Sequence, residues 1–304
     1  MAASTQTESA PVWKASPLQR EREAFRSTRA RRSALIASAS TVVVLGAVTL
    51  IVINAPGWSR FRDSFLDVSV GWHDLPALLA ALWLNVQIML ISEPCILVLA
   101  ALIAILRTLH GPVFFPVRVL ATVYVDVFRG LPLLIVLYMV GFGLPSLRLS
   151  WLPTSAFPLC IIALVLTYTA YVAEVFRAGI ESVHPSQHAA GRSLGLTYGQ
   201  TMRYVIFPQA VRRVLPPLLN DFVSLQKDTS LVSVLGVIEI VLTAENQSSQ
   251  DFKFVHYVVA GLIFVALTVP LTRFTDWIAR RQGWVGGAAT PRSRRMFGPP
   301  RTTS

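Results

Sequence analysis

Long apolar runs alternate with short polar segments along the chain, a pattern typical of helices that cross a membrane repeatedly. A spanning helix needs about 20 mostly apolar residues, because the hydrocarbon is roughly 30 Å thick and each helical residue rises 1.5 Å. The runs of about this length are residues 34–53, 75–106, about 119–142, 157–176, about 214–242 and 254–271. The pattern predicts an all-α polytopic membrane protein with about six transmembrane helices. Five or seven spans stay open as alternatives, because the fifth run is long and polar in its middle.

The segments outside these runs predict the organisation of the two ends. Run 34–53 is longer than the apolar core of a cleaved signal peptide, and 33 mostly polar residues precede it. We therefore expect an uncleaved, additional N-terminal transmembrane helix. Residues 1–33 read as a basic, disordered cytoplasmic tail, and residues 281–304, rich in Gly, Pro and Arg, as a flexible cytoplasmic C-terminal tail.

Composition and charge narrow the class of protein. Of the 304 residues, 53% are hydrophobic and 14% charged, and the net charge is +11. A soluble domain typically has about 25% charged residues, so either a membrane protein or a basic nucleic-acid binder with an apolar core fits. With six spans, 21 Lys and Arg fall on one side and 4 on the other. This asymmetry places both termini in the cytoplasm, and no basic folded module for nucleic acid is visible.

The loop at residues 178–213 lies on the same basic side and contains helix signals. Pro185 suits the first turn of a short helix, and Gly195 suits its end. Thr197 and Gln200 then form a capping-box pattern that starts a second helix, and Pro208 is expected to kink or stop it. The loop is therefore predicted to form two short helices at a bend.

The side chains on the surface of the first short helix are small. Ala189, Ala190 and Ser193 bear little side-chain bulk, so another backbone could approach closely. Docking into a groove on another protein is one interpretation. A loop that lies on the membrane surface without a partner is the other.

Several motifs along the chain resemble those of a known family. The residues that carry the resemblance are Gln187-His188-Ala189-Ala190, Gly195, Ile206-Phe207-Pro208-Gln209-Ala210, residues 124–132, residues 170–179, residues 215–220 and Lys227-Asp228-Thr229-Ser230-Leu231. They are similar to the signature motifs of ABC-transporter permeases of the polar amino-acid, binding-protein-dependent importers. The resemblance covers about residues 75–280.

The resemblance implies a type I ABC importer permease-like bundle, with a cytoplasmic coupling helix in a cleft of a separate ATPase. It implies as partners ABC ATPase subunits, a second permease copy or a paralogue, and an extracytoplasmic amino-acid-binding protein, besides membrane lipid. It implies a multi-pass protein of the bacterial cytoplasmic membrane. The chain contains no phosphate-binding Gly-x-x-x-x-Gly-Lys-Ser/Thr loop. We therefore expect no cofactor in this chain and ATP use by the partner.

The resemblance also implies roles for particular residues. Those expected in the ATPase-coupling loop are Pro185, Gln187, His188, Ala189, Ala190, Gly195 and Pro208. His188 stands where the family usually has glutamate, and Phe207 where it usually has leucine. We expect His188 still to dock, because the two alanines and Gly195 keep the shape of the loop.

Polar residues within the apolar runs are candidates for the translocation path, because such residues usually face a bundle interior or a water-filled path. An amino acid carries an ammonium and a carboxylate, so its path needs both acceptors and donors. The candidates are Asn220, Asp221, Gln226, Lys227, Asp228, Thr229 and Ser230. Lys227 and Asp228 would point about 100° apart on one helix, so we expect them to pair with other helices or with an unwound turn.

A second set of polar residues has either a structural role or a role in the path. Its members are Asn85, Asp126, Arg129, Tyr171 and Glu174. We favour a structural role for Asp126 and Arg129, three residues apart on one helix face, and for Glu174 near the cytoplasmic boundary. Glu93-Pro94 predicts a kink within its span, and residues 129–132, which end in Pro132, predict a second kink near the cytoplasmic end.

A membrane-embedded enzyme and a passive channel are the alternatives to a permease. A membrane-embedded hydrolase or transferase would need a reactive constellation. Among the histidines only His184 and His188 lie close together, with Pro185 between them, so no metal site is expected. A passive channel would not require the small-residue cytoplasmic loop.

Overall fold

The computed structural model describes residues 16–109 and 111–281, and all regular elements among these residues are helical. The α-helices are α1 Pro17–Ile53, α2 Trp58–Phe65, α3 Val68–Thr108, α4 Phe115–Gly130, α5 Leu133–Tyr138, α6 Leu144–Ser146, α7 Ala156–Glu181, α8 Pro185–Ser193, α9 Tyr198–Thr201, α10 Phe207–Asp228, α11 Ile240–Asp251 and α12 Val255–Arg281. The chain divides into two compact units, one up to Asp63 and one from Ser64 onward.

In the first unit, α1 begins at Pro17, well before the predicted span at residues 34–53. Residues 32–53 are long and apolar enough to cross a membrane. The predicted disorder is therefore wrong for residues 17–33, which are helical. Arg, Glu and Ala favour helix there, and a proline at the helix start costs nothing because the first N–H groups have no helical partner. The other predictions for the two tails concern residues 1–15 and 282–304, which lie outside the described residues.

In the second unit, three predicted spans are single helices, each longer than the predicted span. They are α3, α7 and α12, and each has the length and composition of a membrane span. Asp67 caps α3 by accepting hydrogen bonds from the backbone N–H groups of Ser69 and Val70. The helix continues through Pro94, where the sequence predicted a kink.

The predicted span at 119–142 is two helices joined by a sharp bend. The axis turns by 109° between the segment that ends at Gly130 and α5, which begins at Leu133. Pro132 lies between them and cannot continue the hydrogen bonding of α4. Beyond α5 the chain forms a π-helical turn at Met139–Gly143 before α6. The kink predicted at residues 129–132 is confirmed.

The predicted span at 214–242 is not one helix. α10 ends at Asp228, a 3₁₀ segment follows at Thr229–Leu235, and α11 begins at Ile240. The unwound turn expected next to Lys227 and Asp228 is present there. By length and composition, four described helices can cross a membrane, or five if the bent pair counts as one span. The α10–α11 stretch is not among them, because α10 is rich in charge and its apolar run is broken.

α7 lies at the centre of the bundle and packs against α3, α4, α5 and α10. Leu164 of α7 is fully buried in one cluster with Ile88 of α3, Val125 of α4 and Leu225 of α10. Between membrane helices such contacts stabilise by van der Waals packing, since lipid tails are as apolar as these side chains. The position of α10 is thus fixed by apolar packing on α7.

A buried polar network joins α3 to the segment after the break. Asn85 donates from Nδ2 to Glu239 at 2.9 Å and to Thr229 Oγ1 at 3.2 Å. The other carboxylate oxygen of Glu239 accepts hydrogen bonds from the backbone N–H groups of Val241 and Leu242, each at 3.0 Å. Glu239 is fully buried and caps α11, so its side chain supplies partners that the broken backbone needs.

A second polar cluster joins the start of α3 to the start of α12. The buried His256 has Nε2 3.0 Å from Asp251 and Nδ1 2.7 Å from Asp74, the latter an ion-pair contact without hydrogen-bond geometry. Lys253 pairs with Asp67 at 2.6 Å. Burial alone would raise the pKa of Asp251, but hydrogen bonds from the Lys253 N–H and from His256 hold that pKa below its usual range. The Lys253–Asp67 ion pair and the contacts of His256 therefore tie the helix ends together.

We expect Asn85→Ala to destabilise the bundle by about 1–3 kcal/mol, since it leaves the buried Glu239 carboxylate and Thr229 short of a donor. The purified protein should show a lowered thermal midpoint. Gln250→Ala, at an exposed position of α11, is the control and should leave the midpoint within error. Equal midpoints for the two variants would contradict a structural role for this network.

Candidate functional site

The loop predicted at 178–213 forms a helical hairpin of α8 and α9, here called the coupling hairpin (residues 184–206). Pro185 occupies the first turn of α8, and the side chain of His184 caps it by accepting a hydrogen bond from the backbone N–H of Ser186 at 3.2 Å. α8 ends at Ser193, and Gly195 follows with φ 78°, a conformation that favours glycine. Both signals for α8 read from the sequence are confirmed.

The second helix of the hairpin has the predicted cap and a different end. Thr197 accepts a hydrogen bond from the Gln200 N–H, and the Gln200 side chain accepts one from the Thr197 N–H, which completes the capping box. α9 continues through a π-helical turn at Met202–Ile206 into α10. Pro208 was expected to kink or stop this helix. It does not stop the helix but lies in the first turn of α10, directly after the π-helical turn. The missing N–H has little cost there.

The two helices of the coupling hairpin contact each other at Gly191, which has no side chain. A Cβ placed on Gly191 would lie 2.6 Å from Thr201 Cγ2, closer than carbon atoms tolerate. The ring of His188 stacks on that of Tyr198, with centroids 6.4 Å apart. Gln209 Nε2 donates to Gln187 at 3.4 Å and so joins α8 to α10.

The outward surface of the hairpin has little bulk at its centre. Ala189 and Ala190 are exposed on α8. Leu194 is 80% exposed and Tyr198 62% exposed at the bend. Apolar side chains this exposed outside the long apolar helices are typical of a surface that another protein covers.

The base of the hairpin is anchored to both neighbouring helices. Arg213 of α10 donates a hydrogen bond to the Ser182 carbonyl oxygen at the end of α7. Val183 and Ile206 are buried together in a small apolar cluster. Gly179 of α7 lies so close to Val214 that no Cβ would fit there. A force on the hairpin would therefore reach α7 and α10 together.

An arginine cluster centred on Glu174 lies one helical turn further into the bundle. Arg107 of α3 is 2.8 Å from the Glu174 carboxylate, Arg129 of α4 is 3.7 Å away, and Arg177 pairs with Glu174 along α7. Three helices thus converge on one carboxylate. The structural role favoured for Glu174 and Arg129 agrees with this position.

Asp126 does not share that role. It is exposed on α4, whereas Arg129 lies over the Tyr171 ring at 6.0 Å and points to Glu174. No hydrogen bond or ion pair connects Asp126 to the described residues. Three-residue spacing places the two on neighbouring positions of one helix face, but the bend after Gly130 brings Arg129 beside α7. Tyr171 Oη donates to the Arg129 carbonyl oxygen at 3.2 Å.

Two of the seven candidate path residues line one polar crevice between α10 and α12. The crevice has a volume of about 720 Å³, and Asn220 and Lys227 lie in its α10 wall together with Arg213 and several apolar residues. The α12 wall was not predicted from the sequence. Its polar residues are Thr268, Thr272, Thr275 and Asp276. Threonines spaced four and three residues apart in an apolar run lie on one helix face, and this spacing is the signal that could have identified them.

The other candidate path residues pack between helices. Gln226 accepts a hydrogen bond from Thr268 at 2.9 Å, and Asp228 accepts one from Tyr168 at 2.7 Å. Thr229 is fully buried beside Asn85. The remaining two are Asp221, whose Oδ2 is buried without a hydrogen bond, and Ser230, which lines a separate cavity of about 390 Å³ together with Lys227.

No group of three or more His, Cys, Asp or Glu side chains with metal-binding geometry occurs among residues 16–109 and 111–281. His184 is engaged as the cap of α8, and His188 stacks on Tyr198. The two histidines that lie close together in the sequence are therefore both engaged in contacts within the hairpin.

Long apolar helices, a polar crevice between α10 and α12 and a rigid hairpin joined to the bundle define a class of protein, the transport subunits of membranes. Comparison with known proteins gives the family. Residues 96–284 match the family described as "Binding-protein-dependent transport system inner membrane component". Because this match covers more than half of the chain, the chain belongs to that family. It is a multi-pass inner-membrane transport subunit and not an enzyme.

Individual relatives agree with the family. The "Probable amino-acid ABC transporter permease protein PatM" of Vibrio harveyi is 38% identical over 182 residues, which are 60% of this chain and 80% of that protein. The "Glutamate transport system permease protein GluC" of Corynebacterium glutamicum is 34% identical over 216 residues, 67% of this chain and 93% of that protein. A solved structure described as "Crystal structure of an amino acid ABC transporter with histidines" superposes with a TM-score of 0.64 at 31% identity. It covers 70% of this chain and 97% of that one. The predicted fold class is confirmed.

We expect Gly191→Ala to loosen the coupling hairpin, since the new methyl group would lie against Thr201. Amide hydrogen exchange of residues 185–206 should rise severalfold. Gly199→Ala is the matched control, because a Cβ at Gly199 meets nothing within 4 Å. Adding Thr201→Ala to Gly191→Ala should restore part of the protection. Equal exchange in the Gly191 and Gly199 variants would refute this close contact.

Proposed function

We propose that this chain is the permease subunit of an ATP-driven ABC importer that moves a polar amino acid across the cytoplasmic membrane. The coupling hairpin is the observation that carries the proposal. It exposes a small-residue surface at Ala189 and Ala190 and is anchored to two bundle helices. The relatives named above are described as amino-acid permeases, which supports the substrate class.

The hairpin suits the transmission of movement from an ATPase. α8 inserts into a groove of the ATPase, with His188 held against Tyr198 at the contact. Movement of the groove displaces α7 and α10 together, because Arg213 and the Gly179 contact hold both helices at the base of the hairpin. α10 is also one wall of the crevice, so the same displacement changes the crevice.

The crevice offers both kinds of partner that a zwitterion needs. Lys227 and Arg213 can bind a carboxylate, and Asp276 can bind an ammonium group. The α12 threonines donate their hydroxyl protons within the protein, so their oxygens can accept a hydrogen bond from the ammonium group. The full path requires residues on both sides, which a second permease copy or a paralogue supplies. An external binding protein delivers the amino acid.

The proposed orientation has both termini in the cytoplasm. Its support is the distribution of Lys and Arg, 21 on one side and 4 on the other. The coupling hairpin is then cytoplasmic, on the side where ATP is available.

The test of the whole proposal is reconstitution. The chain, co-expressed with the ATPase, the binding protein and any second permease encoded beside it, should co-purify with the ATPase. In proteoliposomes the complex should hydrolyse ATP faster when the binding protein carries one particular amino acid. An assembly without any ATPase, or ATP hydrolysis that ignores every amino acid offered, would refute the proposal.

The crevice is tested by cysteine accessibility. In a background with Cys95→Ser and Cys160→Ala, Thr272→Cys should react with a membrane-impermeant maleimide at least tenfold faster than Leu262→Cys, because thiols ionise and react in water. Leu262 is exposed on an apolar face of α12 and serves as the control. Similar rates at the two positions would exclude a water-accessible crevice at Thr272.

A further inference from the structure

Two arginines converge on one edge of the bundle, at the start of α10 and the end of α12. Arg212 and Arg281 line a cavity of about 700 Å³, together with Phe207, Pro208 and Val211. No carboxylate is among these lining residues. Arg212 has no hydrogen bond or ion pair with the described residues, and Arg281 lies over the Trp277 ring at 3.9 Å. Two guanidinium groups here are thus available to an anion.

An apolar groove adjoins this basic cavity. The groove has a volume of about 290 Å³ and shares Phe207 and Val211 with the cavity. The residues that form its other walls come from α3, α7 and α10 and include Ile105, Phe176 and Leu218. A ligand that filled both spaces would need a negatively charged end and an apolar tail.

The location matches the surface of a membrane leaflet. Trp277 and Arg281 form the kind of aromatic and basic pair that is enriched where a span meets the headgroups. Two of the helices that line the groove, α3 and α7, have the length and composition of membrane spans, and the arginines mark the end of the groove. Asp276, the acidic residue next to Trp277, lines the crevice between α10 and α12 instead.

We propose that this edge is a binding site for one anionic phospholipid. The lipid phosphate accepts hydrogen bonds from Arg212 and Arg281, whose planar guanidinium groups suit phosphate geometry. An acyl chain fills the groove beside Phe207 and Val211. The assignment to the cytoplasmic leaflet rests on the orientation proposed above, whereas the binding chemistry does not.

The combination of a basic cavity with an apolar groove favours a lipid over free phosphate or a protein. Inorganic phosphate would use the arginines and leave the groove empty. The ATPase-facing surface proposed for this chain lies on α8, and neither Arg212 nor Arg281 belongs to that helix. A bound lipid would join α10, which leads directly out of the coupling hairpin, to the end of α12.

The test measures lipid retention by the full-length chain in detergent with native mass spectrometry. The probes are dioleoyl phosphatidylglycerol and dioleoyl phosphatidylcholine, which differ in headgroup and share their acyl chains. Wild type should retain the anionic lipid preferentially. Arg212→Gln and Arg281→Gln should each lower that preference about fivefold, the value of one basic residue near a membrane surface.

Two control variants separate charge from packing. Arg203→Gln, at an arginine that lies over Tyr204 and outside both cavities, should keep the wild-type preference. Val211→Asn should weaken retention of both lipids, since it makes the groove polar. An unchanged preference in both arginine variants would overturn the proposal.

Competition and co-purification distinguish the other occupants. Millimolar inorganic phosphate should not displace the anionic lipid, and displacement would indicate a simple phosphate site and overturn the proposal. Loss of ATPase co-purification in the arginine variants with unchanged lipid preference would also overturn it, in favour of a protein-docking face. Lipid binding is measured on the chain alone, so failure of the importer proposal would not alter this result.

Discussion

A break in a helix among apolar neighbours leaves backbone N–H groups without partners, and supplying those partners is the constraint on which this bundle depends. After Asp228 the chain leaves the α conformation, and Glu239 restarts it by accepting hydrogen bonds from two backbone N–H groups. A fully buried carboxylate is itself costly unless it is hydrogen-bonded. Asn85 of α3 donates the remaining hydrogen bond to this carboxylate. The Asn85–Glu239 pair therefore stabilises the cap of α11 and fixes the position of α11 against α3.

The break has a consequence for the arrangement of the polar residues. Because α10 ends early, Lys227 lies near the end of a helix and lines the crevice, while Asp228 turns inward to Tyr168. At the opposite end of α10 the chain continues into the coupling hairpin without an intervening loop. α10 therefore connects the surface proposed for the ATPase with the crevice proposed for the substrate.

Local signals in the sequence predicted local structure well. Pro185, Gly195 and the Thr197–Gln200 pair each act within a few residues, and the structure has the helix ends that they indicate. Long apolar runs predicted α3, α7 and α12 for the same reason. The span at 214–242 failed as a single helix, because the polar residues near Thr229 and Glu239 break the helix there.

Contacts between distant residues could not be predicted in this way. Asn85 and Glu239 are 154 positions apart, and no local pattern links an amide in one apolar run to a carboxylate in another. The same holds for His256 with Asp74, and for the α12 wall of the crevice. The seven candidate path residues were chosen by polarity, which does not tell a residue that lines a cavity from one that holds two helices together.

The glycines at the base and centre of the hairpin show how a residue without a side chain can restrict a sequence. At Gly179 and Gly191 the neighbouring helix occupies the volume that a methyl group would need. A charged surface residue can change into many others without disturbing its surroundings, whereas a methyl group added at either of these two positions has to displace a side chain of the neighbouring helix. The size of the side chain is thus narrowly restricted at two positions that carry no functional group.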